Sequence, residues 1–122
     1  MKTRIIYTKF WQDKYITSLK TEEKLLFAYL ITNDKIGLSS IYECPIRNIS
    51  FDTGLNIKLI ERTLTRFEKD EKFARFGDWI CILNSKKYNA NLYKGEKNEV
   101  AAKKELELLP ADAMEYFTKI LG

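Results

Sequence analysis

The chain has 122 residues, which suffice for a single domain, and 45% of them are hydrophobic, enough for a compact core. No apolar run approaches the ~18 residues that a membrane span requires, and charge interrupts the N-terminus too often for a signal peptide, so we expect a cytoplasmic protein. Histidine is absent, and the two cysteines are too far apart to form a typical zinc site. We therefore predict no metal, no cofactor and no enzymatic activity.

Positive charge is concentrated in the first part of the chain. The net charge is +4, but residues 1–95 hold seventeen Lys or Arg against eleven Asp or Glu, whereas residues 96–122 hold four against six. A basic body of this kind is compatible with a nucleic-acid ligand. The distribution alone does not identify that ligand, because charged residues cover the surface of most proteins.

Residues 10–19 and 21–32 predict two consecutive helices. The first is short, with its large apolar side chains turned inward: Phe10, Trp11, Tyr15 and Ile16. The second, TEEKLLFAYLIT, begins at a predicted N-cap, Thr21, and carries glutamates in its first turn, where they suit the positive end of the helix dipole. Its apolar positions recur at helical spacing and predict one buried face, formed by Leu25, Leu26, Tyr29 and Leu30.

The stretch SSIYECP, at residues 39–45, predicts a short strand that stops at Pro45. Because proline suits the first turn of a helix, a short helix is expected from Pro45 to Thr53, ended by Gly54. Its apolar positions are Ile46, Ile49 and Phe51. Asn56 is the predicted cap of the next helix, residues 57–69, whose inward face repeats at intervals of three and four residues: Ile57, Ile60, Leu64 and Phe67.

Two aromatic-rich stretches, FARF and WICIL, predict a hairpin of short strands in which Phe76 and Trp79 pack inward. The two residues between the strands, Gly77 and Asp78, suit a type II′ turn, since glycine occupies the first central position. The polar segment at residues 85–99 is predicted to be a linker. Two further helices follow, at residues 100–109 and 111–121, separated by Pro110.

This order of elements is that of the winged-helix variant of the helix-turn-helix, and the turn between the two helices of the motif, TGLN, is short and contains glycine. The predicted fold class is mainly α with a small antiparallel sheet: a winged helix-turn-helix followed by C-terminal helices. We expect a winged-helix domain with an N-terminal helical extension at residues 1–84, a linker at 85–99 and a C-terminal helical segment at 100–122.

Several stretches between Tyr7 and Tyr88 together resemble the N-terminal domain of DnaD-like and phage replication-initiation proteins. They are FWQDKYITSL, EEKLLFAYLITND, IYECPIRNISFDTGL and WICILNSKKY. Their hallmark positions are Trp11-Gln12-Asp13, Leu25-Leu26-Phe27, Gly37, Pro45, Gly54 and Asn84. The resemblance implies a winged helix that serves replication initiation or primosome assembly, by binding origin DNA, by self-association, or by both.

With its apolar face inward, the helix at residues 57–69 turns polar side chains outward: Lys58, Arg62, Thr65 and Lys69, with Arg66 beside them. An α-helix fits the major groove of B-DNA, where Arg bonds guanine, so we predict that this helix contacts double-stranded DNA. The alternative is a solvated charged face that binds nothing. Further candidates for DNA contact lie on neighbouring elements: Arg47, Asn48, Asn56, Lys72, Arg75, Lys86 and Lys87.

Apolar residues outside the winged-helix core require a partner: Phe10, Trp11, Met114, Phe117 and Leu121. They predict a contact between two copies in a homodimer; the alternative is that the C-terminal helices cover their own domain. Three functions remain open at this point. They are a DNA-binding protein of phage or bacterial replication initiation, an interaction module of a primosome that engages a helicase or helicase loader, and a transcription repressor of the same fold.

Overall fold

A computed structural model of the protein describes residues 3–37, 39–84 and 96–121. Lys86, Lys87 and most of the predicted linker lie outside these residues. The described elements, in chain order, are a 3-10 turn η1 (Thr8–Gln12), α1 (Lys14–Thr17), α2 (Thr21–Thr32), β1 (Ile41–Glu43), α3 (Ile46–Thr53), α4 (Ile57–Lys69), β2 (Phe73–Phe76), β3 (Trp79–Ile82), α5 (Glu96–Glu107) and α6 (Ala111–Leu121).

The predicted fold class is confirmed. Helices predominate in the described residues, and the three strands form one antiparallel sheet in the order β1–β3–β2. The helix pair α3–α4 lies between β1 and the β2–β3 hairpin along the chain, as in a winged helix-turn-helix. In the hairpin Phe76 pairs with Trp79 across a two-residue turn. Gly77 has a φ of 60°, the positive value that the first central position of a type II′ turn requires.

The helix boundaries follow from local hydrogen bonding. Helix α2 has the predicted bounds, but its N-cap is Lys20 and not Thr21, because the Glu23 carboxylate accepts a hydrogen bond of 2.8 Å from the Lys20 backbone N–H. Gly54 ends α3 with a φ of 79°, a left-handed conformation that favours glycine. Helix α5 begins at Glu96, so the last part of the segment predicted as a linker is helical.

The main hydrophobic core lies between α2, α3, α4 and one face of the sheet. At its centre Phe27 of α2 meets Phe67 of α4 and Phe73 of β2, with ring centroids 5.2 and 5.0 Å away, both in edge-on arrangements. Phe10 and Ile16 of the N-terminal extension are buried in the same core. The extension is therefore an integral part of the winged-helix domain.

A second core covers the opposite face of the sheet. Ala74 of β2 and Cys81 of β3 pack there against Leu109, Ala113 and Phe117. The C-terminal helices thus fold back on their own domain, which was the alternative to a dimer contact in the sequence-based prediction. Met114 is half-buried at the edge of this core. Phe76 and Trp79 also pack against the core, as expected.

The five residues predicted to form a dimer contact differ in exposure. Phe10 and Phe117 are only 2% and 1% exposed, so they are covered by the chain itself and present no surface to another copy. Trp11, predicted to point inward, is 60% exposed, and Leu121 is also exposed. The structure therefore does not join the five residues into one apolar surface.

Two further inward predictions are wrong. Leu25 and Ile57 are exposed, because the buried face of each helix is rotated away from them. In α2 the covered residues are Leu26, Phe27, Leu30 and Ile31, and in α4 they are Ile60, Thr63, Leu64 and Phe67. Among the described residues, no helix combines the length and apolar character needed to cross a membrane.

Candidate nucleic-acid interface

Helix α4 is the second helix of the helix-turn-helix and is held firmly in it. Four side chains along one face are buried: Ile60, Thr63, Leu64 and Phe67. Its N-terminus is capped by Asn56, whose Oδ1 accepts a hydrogen bond of 2.8 Å from the Leu59 N–H. At the other end the Lys72 N–H donates to the Phe67 carbonyl at 2.9 Å and closes the last turn. The outward face of α4 is therefore fixed in orientation.

That outward face carries Lys58, Arg62, Thr65 and Lys69, which we call the α4 stripe. All four residues are exposed, as predicted. Their spacings of four, three and four residues place them one above another on the side opposite the buried face. Within the part of the chain that the structure describes, Lys58, Arg62 and Lys69 form no ion pair. Three positive charges are therefore available to a ligand.

Arg66 flanks the stripe but is engaged within the protein. Its Nη1 donates to both oxygens of Glu23 on α2, each at 2.9 Å, and its Nε lies 3.6 Å from Asp70. Partial burial opposes ionisation of Glu23, but the hydrogen bonds from the Lys20 N–H and from Arg66 outweigh it and lower the pKa of the carboxyl. A DNA phosphate would have to displace these carboxylates to reach Arg66.

The residues predicted for the wing are likewise engaged. Arg75 on β2 is paired with Glu68 on α4. The Nζ of Lys72 lies over the ring of Tyr15, 4.6 Å from its centroid, in a cation–π contact. The charged residue at the tip of the hairpin is acidic, the exposed Asp78. The wing therefore offers little free positive charge to a phosphate.

Helix α3 adds one more exposed cation. Arg47, in its first turn, is exposed, and the neighbouring Asn48 is half-buried. In helix-turn-helix proteins this helix crosses the DNA backbone, so Arg47 is placed for a phosphate contact.

Three residues that shape this surface were not among the predicted site residues: Glu23, Asp70 and Tyr15. Glu23 and Asp70 hold Arg66, and the Tyr15 hydroxyl donates to Asp70 at 2.6 Å. The pKa of Tyr15 is raised, mainly by burial and to a smaller extent by this hydrogen bond. Asp70 follows Arg66 at helical spacing, which is a signal in the sequence. Glu23 precedes it by 43 residues, and no local pattern links them.

Comparison of the chain with protein-family models, with curated proteins and with solved structures finds no match. The described residues contain no group of His, Cys, Asp and Glu arranged to hold a metal ion, and both cysteines are buried thiols. The feature of this region with the clearest chemical capacity is the set of free cations on α4.

Proposed function

We propose that the protein binds double-stranded DNA through the α4 stripe, as a non-enzymatic winged-helix protein. The observation that supports this is that the basic residues around α4 fall into two groups, paired and unpaired. Arginines beside the stripe are paired with carboxylates. Lys58, Arg62 and Lys69 within the stripe are exposed and unpaired among the described residues. A helix with such a stripe fits the major groove and can neutralise phosphates on either side of the groove.

The biological setting proposed for this activity is phage or bacterial replication initiation. Support for it comes from the resemblance to DnaD-like proteins in the stretches quoted above. A winged helix that binds duplex DNA would serve there by marking a site on the DNA for the replication proteins that follow.

Binding of a labelled duplex, followed by fluorescence anisotropy at low salt, tests the proposal. Replacing Lys58, Arg62 and Lys69 together with Ala should weaken binding at least roughly tenfold, because three positive charges that face the duplex are lost. The fold should persist, since all three side chains are exposed.

The matched control is the triple replacement of Lys103, Lys104 and Lys119 with Ala. These lysines are also exposed, but they lie on α5 and α6. Both variants lose the same charge, so a general effect of net charge would weaken both equally. Equal affinities of the α4 variant and the wild-type protein would refute the proposal.

A protein-interaction module is the second candidate function, and Phe51 favours it. This side chain is 89% exposed on helix α3, and phenylalanine is enriched in protein–protein interfaces relative to the rest of the protein surface. If the wild-type protein binds no duplex DNA at low salt, this second function takes precedence.

A further inference from the structure

Side chains that read a base through two hydrogen bonds are few in number. Arg does so on guanine with a rigid planar fork, and Asn or Gln on adenine with a planar amide, whereas Lys reaches the same guanine atoms as a flexible point charge. The helix-turn-helix and the wing of this protein hold six such residues in the described part of the chain: Arg47, Asn48, Asn56, Arg62, Arg66 and Arg75.

Three of the six are committed to contacts within the protein. Arg66 is bound to Glu23 and Asp70, and Arg75 is paired with Glu68. Asn56 uses its Oδ1 to cap α4, and adenine recognition needs that same oxygen as the acceptor from the base amino group. These residues can position α4, but reading a base would require each to give up its present partner.

Two more of the six lie on α3. Asn48 is half-buried, and Arg47 is in the first turn of the helix that crosses the DNA backbone in helix-turn-helix proteins. Arg62 differs from all five. It lies inside the α4 stripe, it is exposed, and it has no ion pair within the described residues.

We infer that Arg62 is the specificity-determining residue of the proposed DNA site, and that the preferred ligand is a duplex with guanine in the major groove. The inference rests on the proposed function and adds the base that is read. Lys58 and Lys69 are roughly 16 Å apart along the axis, from the helical rise of about 1.5 Å per residue. The major groove is about 12 Å wide, so these outer lysines reach towards the phosphates while Arg62 faces the bases between them.

The inference predicts selectivity for a single type of base, and not for a long sequence. Thr65, the other central residue of the stripe, donates its hydroxyl to the Glu61 carbonyl at 2.9 Å, so its hydrogen is not available to a base. With one bidentate reader, the guanine preference should correspond to one base contact, about 5- to 100-fold in Kd.

Two duplexes of the same guanine-containing sequence test this, one with ordinary guanine and one with 7-deazaguanine. The analogue keeps Watson–Crick pairing but lacks the N7 acceptor that an arginine fork requires. The wild-type protein should bind the ordinary duplex about 5- to 100-fold more tightly. Arg62→Ala, which removes every hydrogen-bond donor of this side chain, should bind both duplexes with similar affinity. The matched control, Arg47→Ala, removes an exposed arginine of α3 and should retain the preference.

The outcomes separate this inference from the proposed function. If the wild-type protein binds both duplexes equally well, DNA binding is upheld and guanine reading is overturned. If Arg62→Ala keeps the preference, the reader is a residue other than Arg62 and the inference is equally overturned. If the wild-type protein binds neither duplex at low salt, the proposed function itself fails.

Discussion

Glu71 occupies the left-handed region of the backbone immediately after α4, with a φ of 59°. The cause is the way the helix ends. The Lys72 N–H donates to the Phe67 carbonyl and the Glu71 N–H donates to the Glu68 carbonyl, which together form a Schellman motif. This motif requires a positive φ at the residue that Glu71 occupies, and glycine adopts it without the strain that a side chain brings.

Glu71→Gly should therefore stabilise the protein. The strain relieved is offset in part by the greater freedom of glycine in the unfolded chain, so we expect a gain of about 0.5 kcal/mol in the free energy of unfolding. Urea unfolding followed by circular dichroism measures it. Glu71→Ala is the control, because alanine keeps both a Cβ and the strained φ and should give no comparable gain. A loss of stability in the glycine variant would show that the Glu71 side chain contributes more than its strain costs.

Cys81 makes stability sensitive to alkaline pH. Burial raises the pKa of its thiol from 9.0 to about 11, an effect that a hydrogen bond involving Ser40 only partly offsets. Between these two values the unfolded chain has released a proton that the folded chain retains, so the free energy of unfolding falls as pH rises. The stabilisation is fully present below pH 9 and is lost towards pH 11, by roughly 2–3 kcal/mol in all.

Urea unfolding at neutral pH and near pH 11 tests this, in the wild-type protein and in Cys81→Ala. The variant is expected to be less stable at neutral pH because of the small cavity, but its loss between the two conditions should be smaller by about 2 kcal/mol. Tyr42, whose pKa burial also raises, gives both proteins a common loss at high pH. Identical losses in the two proteins would mean that Cys81 does not govern this dependence.

At the scale of elements, α5 is attached to the winged-helix domain by a polar contact. The Ser39 N–H donates to Glu105 Oε1 at 3.0 Å, and the carboxylate of Glu105 lies against Gly37, where a Cβ would collide with it. The absence of a side chain at residue 37 thus leaves room for the contact. The contact joins the loop before β1 to the C-terminal segment.

Gly37→Ala should push the Glu105 carboxylate away from the Ser39 N–H and destabilise the protein by about 1 kcal/mol. In a Glu105→Ala background the same substitution should cost clearly less, because no carboxylate remains to be displaced. A double-mutant cycle by urea unfolding measures the difference. Equal costs of Gly37→Ala in both backgrounds would contradict the proposed attachment.

The bounds of α2, α4 and α6 were predictable because they depend on local signals. Apolar spacing, the Asn56 cap and the stop at Pro110 act over a few residues. The start of α5 at Glu96 was missed, since its first turn is polar and has no hydrophobic periodicity. Leu25 and Ile57 are exposed although the sequence predicts them on buried faces, because they lie at the margin of apolar stripes. Which margin is covered depends on the neighbouring helix, and local sequence does not specify it.

The candidate site was predictable in the same partial sense. The α4 stripe follows from periodicity alone, so Lys58, Arg62, Thr65 and Lys69 were found and are exposed. The loss of Arg66 and Arg75 to carboxylates depends on tertiary packing, which brings α2 and β2 against α4. A count of basic residues in the sequence therefore overstates the positive charge that a ligand meets.

For the whole molecule, the positions of the unpaired basic residues matter more to a charged ligand than the net charge of +4. Packing in the second core holds α6 against the sheet. The described residues leave the outward face of α4 uncovered. Four of the exposed cations that have no ion pair among the described residues lie on the two helices of the helix-turn-helix: Arg47, Lys58, Arg62 and Lys69. A ligand with dense, regular negative charge is the kind that such a surface binds most strongly.

The salt dependence of duplex DNA binding tests the central claim most directly. Each phosphate contact contributes about −0.9 to the slope of log K against log salt concentration, where K is the association constant. With at least three contacts, from Lys58 and Lys69 on α4 and Arg47 on α3, the wild-type protein should give a slope of about −3 or steeper.

The triple alanine variant at Lys58, Arg62 and Lys69 should lose about 2 from the magnitude of that slope, because Lys58 and Lys69 are the phosphate contacts among the three, while the control variant at Lys103, Lys104 and Lys119 should keep it. Binding that is indifferent to salt, or a slope that the α4 variant leaves unchanged, would contradict a DNA interface on α4.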